Sequence, residues 1–169
     1  MRRSAVFLVV ALAAGALLSV GSALGGGVTH RVSVGSPDSV LFPPGTDANF
    51  SLTAIQSADG TVSGQWHDQF GGHGPGAPSV GQFLHMEVTC LVVEGNEAWV
   101  SGPIKVASTD LAEFVGTTAF TRVLDNGTSA NDPPDQISFT FFGFDPELDC
   151  EDKLDLPLFD LNNGEVKVG

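Results

Sequence analysis

The chain has 169 residues, 42% of them hydrophobic, with 20 Asp and Glu against seven Lys and Arg, a formal net charge of −13 at pH 7. So negative a surface repels nucleic acid and anionic membranes and favours cations or basic partners. The 12 Phe, with many Val, Leu and Ile, exclude the acidic disordered class, which lacks the apolar surface needed to offset chain entropy.

Met1-Arg2-Arg3 is a short basic start, Ala5 to Val20 is an uncharged apolar run, and Gly21-Ser22-Ala23 supplies small residues where a signal peptidase reads. This three-part layout predicts a signal peptide over residues 1–23 and a mature chain starting near Leu24. The uncharged stretch Ser4 to His30 exceeds the roughly 20 residues a spanning helix needs, but Gly21 and Gly25-Gly26-Gly27 interrupt it. The expected location is therefore secreted or otherwise extracytoplasmic, with no membrane insertion after cleavage. Removal of the leader leaves roughly 146 residues, one ordinary domain. Five basic side chains then face 20 acidic ones, a net of about −15.

Residues 24–47 form a Gly/Ser/Pro-rich segment with one short extended stretch, Thr29 to Val34, closed by Pro43-Pro44-Gly45. The β domain is expected over 48–169. Ala48 to Ala54 alternates apolar and polar residues, the period of a half-buried strand, with Ala48, Phe50, Leu52 and Ala54 inward. Asp59-Gly60 marks a hairpin, and Thr61 to Phe70 returns with Val62, Gly64 and Trp66 on one face. Gly64 signals a bulge or a close backbone approach. Gly71 to Gly81 reads as a loop.

Gln82 to Glu94 reads as one strand, with Leu84, Met86, Val88, Cys90 and Val92 sharing a face. Gly95-Asn96 is a two-residue hairpin turn leading into Glu97 to Val106. If Glu94 pairs with Glu97, Val92 faces Trp99, Cys90 faces Ser101 and Leu91 faces Val100. Both faces are then apolar near the turn, so this hairpin is central or its outer face meets another element. Trp66 and Trp99 fall at inward-phase positions. Ser108 to Val115 suits a short helical turn with Ser108 or Thr109 as N-cap. Thr117 to Leu124 alternates again, Ile137 to Phe144 is a strand with Ile137, Phe139 and Phe141 on one face, and Glu165 to Val168 is a last short strand after the turn Asn162-Asn163-Gly164. Turn-separated strands without a helical period predict an all-β fold. It is a single antiparallel domain of about seven to nine strands, barrel-like, with a β-sandwich as the alternative.

Cys90 and Cys150 are the only cysteines. In an oxidising compartment the pair predicts one disulfide, closing a loop of about 60 residues, worth roughly 4 kcal/mol in the chain-entropy description.

The loop Asp125 to Asp135 offers Asp125, Asn126, Asn131, Asp132 and Asp135, the oxygen donors that calcium takes, although the spacing is not that of an EF-hand. The same residues suit a turn-rich connection stiffened by Pro133-Pro134. A second acidic run is Asp145, Glu147, Asp149, Glu151 and Asp152, where a divalent cation would relieve repulsion and a solvated turn would look the same. The four histidines, His30, His67, His73 and His85, match no zinc spacing. His85 and Glu87 share a strand face and His67-Asp68 lies on the neighbouring strand, a group able to serve acid–base chemistry if it converges in a cavity. No catalytic residue is assigned.

The segments Phe50-Ser51-Leu52-Thr53-Ala54, Asp59 to Trp66, Val88-Thr89-Cys90-Leu91-Val92-Val93-Glu94-Gly95-Asn96, and Asp125-Asn126-Gly127 through Pro133-Pro134-Asp135 together resemble a group of small exported bacterial β-domain proteins known only as hypothetical. The resemblance spans roughly residues 48–142. It implies a domain able to stand alone or attach to larger exported chains, and lends no catalytic residue.

The expected function is an exported non-catalytic β domain with a surface-binding or structural role. Calcium is its candidate ion, and a protein or cell-surface structure its partner. The alternative is a small-ligand carrier or enzyme with a barrel cavity near His67, His85 and Glu87. A further possibility is an inhibitor that inserts the rigid Asn131–Asp135 loop into a partner.

Overall fold

A computed structural model describes residues 27–41, 46–71, 81–129, 131–144 and 147–169. The predicted leader, His73, Asp145 and the side chain of Ala48 lie outside what is described. The described residues hold eleven strands. They are β1 (Val28–Leu41), β2 (Thr46–Ser57), β3 (Val62–Phe70), β4 (Phe83–Glu87), β5 (Cys90–Glu94), β6 (Glu97–Ala107), β7 (Thr118–Leu124), β8 (Gln136–Ile137), β9 (Phe141–Phe144), β10 (Phe159–Asp160) and β11 (Glu165–Val168). They form one antiparallel sheet, ordered β10-β8-β7-β6-β4-β3-β2-β1-β11, with β5 pairing β6 and β9 pairing β7 beside this path. The sheet curls into a half-barrel. The all-β, antiparallel, barrel-like expectation holds, with two strands more than the upper count because two stretches read as single strands are each split in two and the two-residue β10 carries no periodicity to read.

The sheet begins well before residue 48. β1 pairs with β2 from Val28↔Ser57 to Leu41↔Thr46, far beyond the predicted Thr29–Val34. Its Gly, Ser and Pro residues weaken the strand pattern, but two flanking partners, β2 and β11, hold it. The β2–β3 hairpin forms at Asp59-Gly60, where the Asp59 carboxylate accepts the Thr61 N–H at 3.0 Å. Phe50, Leu52, Ala54 and Trp66 are buried, as their phase requires. Gly64 is a close approach: a Cβ there would overlap the Thr53 carbonyl oxygen of β2.

The β5–β6 hairpin has the register read from Gly95-Asn96, including Val92↔Trp99 and Cys90↔Ser101. The arm leading into it is not one strand, however. It breaks at Val88-Thr89, where the Val88 N–H reaches back to the Gly64 carbonyl at 3.0 Å and the Thr89 N–H to Ser101 at 3.1 Å. The break reverses the phase. Leu84, Met86 and Val88 are buried before it, and Leu91 after it, so Cys90 and Val92 do not share the face of Leu84. Gly102 permits this, because a Cβ on it would overlap the Glu87 carbonyl oxygen.

Trp99 shares the Cys90 face through the same register and is 8% exposed. It lies apart from the main core. A C-terminal strap, residues 149–156, covers this outer face of β5, β6 and β7. The Cys90–Cys150 disulfide anchors it with Cα atoms 5.6 Å apart. Trp99 Nε1 donates to the Leu154 carbonyl at 3.2 Å, and Arg122 bonds Asp155 Oδ1 at 2.7 Å and the Leu156 carbonyl at 3.1 Å. Arg122 also pairs with Glu97 and stands 5.5 Å from the Trp99 ring. Lys153 pairs with Glu94. This is the covering element that the two-sided apolar hairpin implied.

The 3-10 turn Thr109–Phe114 follows β6, with Ser108 as its N-cap by position. The Ser108 hydroxyl accepts from the Phe83 N–H at 3.3 Å and leaves the turn uncapped by side chain. The strand predicted over Ile137 to Phe144 is split into β8 and β9. Ser138 is the cause: its Oγ accepts the Arg122 N–H at 2.9 Å, donates to the Phe139 carbonyl at 2.8 Å and lies 3.1 Å from Thr121 Oγ1. A side-chain oxygen inserted into the ladder displaces backbone pairing there.

Candidate binding face

Alternation along β3 and β4 separates an inner from an outer face. Trp66 and Asp68, and Leu84 and Met86, point into the core. His67, His85 and Glu87 therefore point outward. They line no cavity in the barrel interior, because each occupies the opposite phase from its buried neighbours. Pairing brings His67 opposite His85, with Ser51 on the far side of His67 and Val106 beyond His85. The next row runs Thr53, Gln65, Glu87.

The two imidazole rings stand 5.2 Å apart at 74°, edge to face. Phe83, two residues along β4 from His85, lies 5.9 Å from the His67 ring. Burial, and then the neighbouring His85, hold the His67 pKa below its usual value. Glu87 pairs with Lys105 at 2.9 Å, both side chains exposed. A shallow groove of about 540 Å³ is lined by Gln65, His85, Glu87, Lys105 and Val106 among others. A second of about 300 Å³ adjoins it, lined by Ser51, Thr53, Gly64, Gln65, His67 and His85. His30 is elsewhere, opposite Gln56 on β1.

Asp68 is the polar group that sequence reasoning placed wrongly, beside His67 as a candidate partner. Its side chain points the other way and is wholly buried. It accepts a hydrogen bond from Thr140 Oγ1, while its Oδ1 has no partner among the described residues, nor has buried Trp66 Nε1. Burial raises its pKa to about 7, against the opposing effect of the Thr140 bond. The available signal was its phase: Trp66, Asp68 and Phe70 share one side of the strand.

The Asp125–Asp135 loop brings its carboxylates to backbone N–H groups. Asp125 Oδ1 accepts from Gly127 at 2.9 Å and Asp132 Oδ2 from Ser129 at 2.8 Å. Asp135 Oδ1 accepts from Asn126 at 2.8 Å. Two bonds reach across to β11: Val166 N–H to Asp135 Oδ2 at 2.7 Å and Val168 N–H to Asp125 Oδ2 at 3.0 Å. Asn126 Nδ2 donates to the Pro134 carbonyl at 2.6 Å. The Asn131 N–H donates to Ser129 Oγ at 3.4 Å, and Asn131 to Pro134 form an exposed tip. In the second acidic run, Asp149 and Asp152 form a reciprocal capping box on the 3-10 turn Cys150–Asp152. Among the described residues no three His, Cys, Asp or Glu side chains are grouped to hold a metal ion. No helix among them is long and apolar enough to cross a membrane.

Comparison with known proteins finds no matching family model, curated protein or solved structure.

Proposed function

We propose that this chain is an exported, non-catalytic β domain that captures a cell-surface partner across the outer face of β2, β3, β4 and β6. The observation that carries the reading is the in-register row of polar side chains, Ser51, His67 and His85 beside Thr53, Gln65 and Glu87, bordering an open groove of about 540 Å³. Strand pairing fixes the spacing of these residues, so the backbone need gain no order on binding. The Glu87–Lys105 pair puts both charge signs in a groove on an otherwise acidic protein, which favours a polar partner over a strongly charged one. Open exposure to water suits recognition better than proton transfer in a sequestered site.

The test is retention of the purified mature domain on cell-envelope material, wild type against Lys105→Glu and Gln65→Arg. Loss of retention in both variants, with unchanged melting, supports the face. Equal retention in both removes it. Separately, N-terminal sequencing of exported protein is expected to start near Leu24, and material beginning at Met1 would refute cleavage.

Calcium bound by Asp125, Asn126, Asn131, Asp132 and Asp135 would compete with bonds that already hold β11. The expected calorimetric titration with calcium is flat. Heat together with a raised melting temperature would make that loop the ligand site instead.

A further inference from the structure

We propose that His67 and His85 form a two-imidazole site for a divalent transition-metal ion, with copper(II) the tightest. The proposal takes from the preceding reading only that the outer face is open.

The geometry comes first. A metal about 2.0–2.1 Å from an imidazole nitrogen lies roughly 3.2 Å from the ring centroid, so two rings on one ion have centroids roughly 4.5 Å apart at the right angle copper(II) prefers and roughly 5.2 Å apart at a tetrahedral angle. The His67 and His85 centroids are 5.2 Å apart, and their planes are inclined at 74°, well away from parallel stacking. The pairing is set by the backbone. The residues are directly opposite on β3 and β4, and β3 is flanked by β2 on its other side, so neither strand is a free edge here. Side chains held this way lose little freedom on chelation.

Space and charge agree. The groove of about 300 Å³ at the pair, lined by Ser51, Thr53, Gln65, His67 and His85 among others, has room for an ion with water or an exogenous ligand. Ser51 and Gln65 border it with oxygens able to hydrogen-bond ion-bound water. Phe83, two residues from His85 on β4, stands 5.9 Å from the His67 ring and adds an apolar neighbour to the pair. The negative charge of the whole chain draws cations toward the surface. Glu87 is engaged with Lys105, so the protein supplies two nitrogens and leaves the remaining positions open. Neutral nitrogen donors with open positions select late first-row ions, with copper(II) above nickel(II) and zinc(II), and reject calcium and magnesium.

The test uses untagged mature protein with its disulfide intact. Calorimetric titration with copper(II), and with zinc(II), is run for wild type, His67→Ala, His85→Ala and the control His30→Ala. One ion per chain is expected, with affinity falling roughly tenfold or more in each of the first two variants and unchanged in the third. Pulsed electron paramagnetic resonance of the copper form should show coupling to two imidazoles. Where a variant melts early, the wild type alone decides: substoichiometric copper should broaden the His67 and His85 side-chain NMR signals before any other. Binding that survives both His variants, one-imidazole coupling, or no binding at millimolar metal would each overturn the site. Envelope retention measured with chelator present is independent of this outcome, so the two readings fail separately.

Discussion

Asp68 is the residue at which the fold is held under most strain of charge. Phe50 and Leu84 flank it across β2 and β4, and among the described residues its side chain's one hydrogen bond is with Thr140. Among the described residues no charged group offsets its burial. A buried carboxylate costs far more than a buried carboxylic acid, so the folded state keeps the proton. The folded pKa of about 7 lies above the ordinary 3.8, so the folded chain binds more protons than the unfolded chain between them. Stability from this group is complete below about pH 4 and is lost as pH rises through about 7, on the order of 4 kcal/mol in all. Urea melts at successive pH values should show that decline, and Asp68→Asn should flatten it. An unchanged slope in the variant would mean that another group titrates. The inward phase of Asp68 was legible beside Trp66 and Phe70. Thr140 was not, being 72 residues away in a segment whose strand pattern Ser138 interrupts.

At the scale of elements, hairpins with local turns were legible and interruptions were not. Asp59-Gly60 and Gly95-Asn96 fix register within a few residues, so Leu52↔Trp66 and Val92↔Trp99 follow from turn chemistry and alternation. The break at Val88-Thr89 has no such mark, since the apolar pattern continues through it. Its signature lies on the partner strand, in Gly102. Gly102→Ala should destabilise the domain by about 3 kcal/mol, because Glu87 must move to admit the methyl group. Gly35→Ala, where nothing lies within 4 Å, should stay within about 0.5 kcal/mol of wild type. Denaturant midpoints for the pair distinguish a packing clash from a general intolerance of alanine at strand glycines.

Across the whole molecule, what sequence periodicity leaves open is which faces meet. It gave most inward residues, with Cys90, Val92 and Trp99 the exceptions, but not that β11 pairs β1 or that two aspartates from the loop after β7 satisfy the other edge of β11. Asp125 and Asp135, two of the residues read as ion ligands, also tie their loop to β11. Asp135→Ala removes acceptors from both Asn126 and Val166, and the expected loss is about 3 kcal/mol. Amide exchange at Val166 and Val168 should quicken before that of Leu52 or Trp66. Uniform acceleration across all four would place the loss in the global fold and not at the seam. The histidine face was half legible: strand phase put His67 and His85 on the face opposite Trp66 and Met86, while their direct opposition depends on the β3–β4 register, which no short turn between the two strands fixes.

The disulfide has a consequence for survival of a proteolytic cut. Residues 127–129 and 131–134 are exposed in the loop after β7, and they fall between Cys90 and Cys150. A cut there severs the backbone but not the molecule, because the sulfur bridge still ties the two pieces together. The strap, with its hold on Trp99 and Arg122, belongs to the fragment downstream of the cut, while those two residues belong to the fragment upstream. A nicked chain thus keeps its halves at high effective concentration and stays assembled until it meets a reductant.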